Sequence, residues 1–111
     1  MDLIVHRIRL HAGVPSARFE NWVRDTDYRT CPALPSVVAF TVQRVSADPD
    51  APVHYFEVIT VTGRAAFEAD MATDAFRRLA ADFGTMASVV DELGGERIEP
   101  GYAAAGAAAP R

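Results

Sequence analysis

The chain has 111 residues, half of them apolar and 23% charged, and 15 acidic against 11 basic side chains give a net charge of −4. That length suits one domain with its own core and is too short for two, and the negative balance argues against a nucleic-acid partner, whose affinity comes mainly from neutralised phosphates. Cys31 is the only cysteine, so no internal disulfide forms; the N-terminal stretch lacks the apolar run and cleavage site of a signal peptide, no segment approaches the ~20 apolar residues of a membrane span, and the expectation is a cytoplasmic protein.

Leu3 to His11 alternates with a two-residue period, Ile4, His6, Ile8 and Leu10 on one face and Leu3, Val5, Arg7 and Arg9 on the other, which predicts a strand packed on one side. Ala12-Gly13-Val14-Pro15 is a turn, and Ser16 is placed to cap a helix whose apolar face is Phe19, Trp22, Val23 and Thr26, ending before Pro32. Val37 to Val45 predicts a second strand, with Val38, Phe40 and Val42 sharing a face. The turn formers of 46–52 lead into a third strand, Val53 to Val61, that completes a long hairpin. Thr62 is placed to cap a second helix. Its apolar face runs from Phe67 and Met71 to Phe76, Leu79, Ala80 and Phe83, with an irregularity near Ala72-Thr73. Val89 to Glu99 then predicts a fourth strand, bulged at Gly94-Gly95; a helix continuing to Leu93 is the alternative.

The order βαββαβ, with right-handed crossovers, predicts an α+β, ferredoxin-like domain over residues 1–102. Its sheet order is 4-1-3-2 with helices on one face, the first and third strands are expected to be adjacent and parallel, and a mobile small-residue tail covers 103–111. Ile4, Ile8, Leu10, Val38, Phe40, Val42, Phe56 and Val58 are expected to meet the helices. The other face mixes Arg7, Arg9, Thr41, Gln43, Tyr55 and Glu57 with Leu3, Val5, Val37, Ala39, Ile59 and Val61, which suits a sheet packed on a second copy as a homodimer, with a solvated face as the plainer alternative.

Several segments together resemble the RedY-like family, which includes the HapK-type proteins of prodiginine pathways. They are His6-Arg7-Ile8-Arg9-Leu10, Asp27-Tyr28, Thr30-Cys31-Pro32, Leu34-Pro35-Ser36, Val42-Gln43-Arg44-Val45-Ser46, His54-Tyr55-Phe56-Glu57-Val58, Asp70-Met71-Ala72-Thr73, Glu96-Arg97-Ile98 and Gly101-Tyr102, spread over residues 3–102. The resemblance implies a dimeric α+β barrel, secondary metabolism of prodiginine or bisindole type, and handling of reactive pyrrole or indole intermediates without a redox cofactor. Asp74 departs from the proline expected after Thr73.

His6 is the leading candidate catalytic residue: mid-strand on an apolar face, with burial expected to lower its pKa and keep it neutral as a base. His54 shares the candidate role from the third strand, and Tyr28 is a candidate to hold a carbonyl or imine. Trp22, Cys31, Phe40, Phe67, Met71 and Phe83 are candidate walls for an aromatic ligand. For each, plain core packing or a single satisfying hydrogen bond is the blander alternative. Two histidines without a carboxylate pair fall short of a zinc site, so no metal or other cofactor is expected. Arg7, Arg9 and Glu57 are expected to pair within or across the dimer interface, and Asp70 to lie solvated on a helix surface. The functional expectation is a cofactor-independent, cyclase-like tailoring enzyme acting by proton transfer. A non-catalytic protein shielding the same intermediate is a second hypothesis, and a cofactor-free monooxygenase or haem-binding relative a third.

Overall fold

β1 (Asp2–Leu10) is the strand around which the chain is organised: it hydrogen-bonds on both edges, antiparallel to β3 (Tyr55–Val61) on one side and to β4 (Ala87–Glu96) on the other. In this computed structural model, which describes residues 1–106, β2 (Val37–Arg44) completes a sheet of order β2-β3-β1-β4. This is the predicted ferredoxin-like α+β order, read from the opposite edge. The expectation that the first and third strands run parallel is corrected. The hairpin returns β3 antiparallel beside β2, and β3 sits between β2 and β1. The two strands joined by the first crossover therefore never touch.

The first crossover contains α1 (Ser16–Trp22), a π-helical segment (Val23–Asp27), α2 (Tyr28–Thr30) and a 3-10 turn (Cys31–Ala33). Pro32 is accommodated in that last tight turn, where its missing N–H interrupts no α-helical ladder. Ser16 is the first helical residue rather than the cap; Pro15 precedes it in an extended conformation and offers no side-chain acceptor. Thr62 does not cap either. α3 (Arg64–Met71) starts one residue later, after Gly63, and Asp2 Oδ2 accepts from the Arg64 N–H at 2.9 Å. The irregularity expected near Ala72-Thr73 is a break between α3 and α4 (Asp74–Gly84). There Thr73 Oγ1 accepts from the Phe76 N–H and caps the second piece. Among the described residues no helix is long and apolar enough to cross a membrane.

Cross-strand register decides which side chains face the helices. Ile4 stands opposite Ile59, His6 opposite Glu57 and Ile8 opposite Tyr55, and on the next strand Phe40, Val42 and Arg44 continue those rows. The buried hydrophobic set on β3 is therefore Tyr55, Ile59 and Val61, and the expectation of Phe56 and Val58 is corrected. Tyr55 and Glu57 read as polar, but Tyr55 is buried against Phe19 with its hydroxyl donating to Glu20 Oε2 at 2.7 Å, a partner no strand pattern reveals. On β2 the register slips between Val37 and Ala39, so Val37 rather than Val38 lies beside the core. On β4 the strand reading is correct, but the bulge lies at Val90, between the partners of Arg7 and Ile8. Gly94 and Gly95 pair in register with Ile4 and Leu3.

The core falls into two clusters. One is Ile8, Leu10, Phe19, Val23, Tyr55, Met86 and Ala87; the other is Ile4, Ile59, Val61 and Phe67, with Val37, Phe40, Met71 and Phe76 packed against it. Asp70, expected on a solvated helix surface, is buried instead. It accepts from the Ser36 N–H at 2.8 Å and from the Ser36 hydroxyl, tying α3 to the start of β2. Ala103–Gly106 are exposed and outside any helix or strand, and the remainder of the expected mobile tail, 107–111, lies outside the described residues.

Candidate functional site

Between the two apolar rows that feed the core clusters runs a third row of the same sheet face, Val42, Glu57, His6 and Glu92. Its polar members are linked. His6 Nδ1 lies 2.7 Å from Glu57 Oε2, and His6 Nε2 lies 2.8 Å from Glu92 Oε1. Glu92 Oε2 in turn meets Arg64 at 3.4 Å. A neutral imidazole donates through one nitrogen only, so both carboxylate contacts are satisfied together only by the imidazolium. The hydrogen bond to Glu57 raises the pKa of His6 above 6.5 against the opposing effect of burial, with Glu92 adding to the rise. The expected neutral, pKa-lowered His6 is thus corrected: its neighbours are two carboxylates that the pattern of its own strand does not show.

Above this row, between sheet and helices, lies a cavity of about 110 Å³. Its walls are mostly apolar, among them Leu34, Phe40, Ile59, Phe67, Phe76 and Phe83, and its polar lining includes the carboxyls of Asp27 and Glu57 and the Cys31 thiol. Asp27 is only 6% exposed. Among the described residues no N–H or O–H donates to its carboxyl, and burial, reinforced by the charge of Glu57, pushes its pKa up to about 7. A carboxyl so placed exchanges its proton near neutrality. Cys31 donates to the Asp27 carbonyl oxygen at 3.6 Å, and burial and the neighbouring Asp27 raise its pKa to about 11, so the thiol keeps its proton at neutral pH.

Asp27 reaches the cavity from the first crossover. Phe19, Val23 and Asp27, spaced by four, are the buried positions of its helical stretch, and the Val23–Asp27 stretch is wound as π-helix, a feature common at functional sites. The sequence carried this signal: an aspartate at the fourth position after a buried valine falls on the apolar face.

The other predicted site residues are divided. Cys31, Phe40, Phe67 and Phe83 line the cavity. Trp22 packs behind it on Phe19 and Phe83, its indole N–H buried without a hydrogen-bond partner among the described residues, and Met71 packs against the Ile4 cluster. Tyr28 lies at the sheet edge, where its hydroxyl accepts from the Val42 N–H at 3.0 Å. His54 is buried near the far end of β1 from the cavity. Its Nδ1 accepts from the Leu10 N–H at 2.9 Å, which places the ring hydrogen on Nε2, where it donates to the Asp48 carbonyl at 2.9 Å. Antiparallel pairing therefore separates the two histidines, and only His6 joins the polar row. On the outer sheet face Arg7 pairs with Asp91 rather than Glu57. Among the described residues no group of three or more His, Cys, Asp or Glu side chains is placed to hold a metal ion.

The family model described as REDY-like protein HapK matches residues 2–98. The crystal structure of HapK from Hahella chejuensis is 53% identical, with a TM-score of 0.91, covering 94% of this chain and 99% of that one. SnoaB from Streptomyces nogalater, described as a cofactor-independent oxygenase, is 21% identical at a TM-score of 0.69, covering 89% of this chain and 94% of its own. A dimeric ferredoxin-like protein of unknown function from Thermobifida fusca YX is 15% identical at a TM-score of 0.63, covering 85% and 86%. At these lower identities the likeness is one of fold. Among curated protein sequences no relative matches.

Proposed function

The chain belongs to the REDY-like HapK family, and on that premise we propose that it is a tailoring enzyme that moves a proton on a reactive indole- or pyrrole-containing intermediate of secondary metabolism, without a redox cofactor. The observation that carries this reading is Asp27, a buried carboxyl with no described donor, facing an aromatic-walled cavity, where burial pushes its pKa up to about 7. Such a group takes a proton from one atom of a bound ring system and returns it to another, while the walls hold one reactive conformer and keep water out. Glu57 is the second polar group at the cavity. His6 is a positioning residue: it lies 2.7 Å from Glu57, whose charge raises the affinity of Asp27 for its proton.

The test compares the rate and product distribution of an indole or pyrrole intermediate generated in situ with wild type, with Asp27→Asn and with no protein. Asn keeps the size of Asp and cannot exchange a proton at neutral pH. The expected loss is about 10²-fold or more. Wild type that binds the intermediate yet leaves the product distribution of the protein-free reaction unchanged would replace catalysis by shielding. Of the third reading, a cofactor-free monooxygenase or a haem-binding relative, the haem-binding half finds less support here. Both ring nitrogens of His6 are engaged by carboxylates and both of His54 by backbone groups, so neither offers an axial ligand.

The functional unit we propose is a homodimer joined through the outer sheet face. That face carries half-buried Leu3, Val5, Phe56 and Val58 beside Thr41 and Gln43, with Leu93 exposed at 72% on the edge strand. A partner sheet removes this apolar surface from water.

A further inference from the structure

We propose that the cavity selects its ligand by charge, admitting an aromatic heterocycle that brings a cationic or strongly donating N–H group to Asp27 and rejecting one that brings a carboxylate there. This rests on reading the cavity as the ligand site, but not on any chemistry taking place in it. Among the described residues the lining contains two carboxyls and no Arg or His side chain. The two carboxyls are not equivalent. Glu57 has its counter-ion, since His6 Nδ1 lies 2.7 Å away. Among the described residues Asp27 has none: it is 6% exposed, no donor reaches its carboxyl, and the charge that bears on it is the like charge of Glu57. The Cys31 thiol beside it donates instead to the Asp27 backbone carbonyl. A buried carboxylate in this position lacks both a hydrogen-bond donor and a positive charge, and a bound ligand supplies either at the point where it lowers the energy most. A ligand carboxylate would add a third negative charge among apolar walls, where little solvent screens it.

The walls set the rest of the ligand. Phe40, Phe67, Phe76 and Phe83 surround the cavity, so the group brought to Asp27 must belong to a flat apolar body that those rings can cover. The discrimination belongs to the ionised form of Asp27 and therefore strengthens as pH rises through about 7. The groups facing it across that titration are Glu57 from β3, itself paired to His6 of β1, and Cys31 from the following turn.

Calorimetric titration with tryptamine and indole-3-acetate, which share one ring and differ in the sign of their charge, tests this at pH 8 and 0.15 M salt. Added salt suppresses the attraction of the net-negative surface for any cation. Tryptamine should bind at least about tenfold tighter than indole-3-acetate. Asp27→Asn should bring the two affinities within about threefold of each other, whereas Asp25→Asn, which removes the same charge from an exposed position of the same helical segment, should leave the ratio intact. Melting curves confirm that each variant is folded. Equal affinities in the wild type would overturn the proposal. So would tryptamine binding weaker than about 1 mM, or a ratio that survives in Asp27→Asn. A failure of catalysis would show in product distribution and leave this ratio untouched, so the two results are read separately.

Discussion

Glu57 of β3 and His6 of β1 stand directly opposite one another and share a 2.7 Å contact on the sheet face that also carries the core. Opposite charges directly across a strand pair favour one another, and here the pair sits half-buried beneath a cavity, where little water screens it. The pair acts on two proton affinities: the bond to Glu57 raises that of His6, and the charge of Glu57 raises that of Asp27 nearby.

Stability should therefore fall as pH rises toward and past neutrality. Asp27 has a folded pKa of about 7 against an ordinary 3.8, so between those values the folded chain holds a proton the unfolded chain releases, and stability drops with rising pH. His6 adds a loss in the same direction above its ordinary 6.5, complete once pH passes its raised folded value. Glu20 acts oppositely. Hydrogen bonds from Arg44 and Tyr55 lower its pKa from 4.5 to about 2, so its contribution is lost as pH falls through that interval. Melting temperature against pH should peak at about pH 4, and Asp27→Asn should flatten the descent between pH 4 and 7. A wild-type profile level from pH 5 to 8 would contradict the assignment of both groups.

His6→Gln keeps one N–H donor but removes the positive charge between Glu57 and Glu92. It should lower stability by about 1–3 kcal/mol and slow product formation by ~10²-fold, while the acidic limb of any pH–rate profile, set by Asp27, moves. A variant with wild-type rate and an unmoved profile would reduce His6 to a packing role.

His54 should behave differently. His54→Ala leaves the Leu10 N–H without its acceptor and releases the loop held through Asp48, at a cost of about 2 kcal/mol or more. Hydrogen exchange at Leu10 should accelerate, and the affinity for tryptamine should stay within about twofold of wild type. Lost binding with normal stability would return His54 to the site.

Light scattering at micromolar concentration should give twice the chain mass. Leu93→Asp, on the exposed edge strand next to the outer face, should shift the protein toward monomer. A wild type that stays monomeric at high micromolar concentration would remove the sheet-to-sheet interface.

Element order, strand sequence and the break near Ala72-Thr73 were legible because apolar period and turn chemistry are local signals. What was not legible depends on partners far along the chain. The helix-facing side of β3 went unrecognised because Tyr55 and Glu57 look like solvent residues until Glu20 and His6 are seen beside them. The charge state of His6 was misread for the same reason: one of its carboxylates lies 51 positions away and the other 86. Asp27 could have been found, since its spacing from Phe19 and Val23 put it on a buried face, but a helix-period reading that favoured Thr26 passed over it. The separation of His54 from His6 follows from antiparallel pairing, which the element order implied.

The polar row has one more effect, on how the strands align during folding. Alternation of side chains forbids a slip of one residue, because that would turn the apolar set outward, but it tolerates a slip of two. If β1 slid two residues along β3, Ile4 or Ile8 would stand opposite Glu57 and the carboxylate would be buried against hydrocarbon with no cation to meet it. Only the observed alignment brings His6 between Glu57 and Glu92. The residues beneath the cavity thus also act as a lock on strand alignment, and substitutions chosen to alter the chemistry should be expected to loosen the choice among neighbouring registers as well.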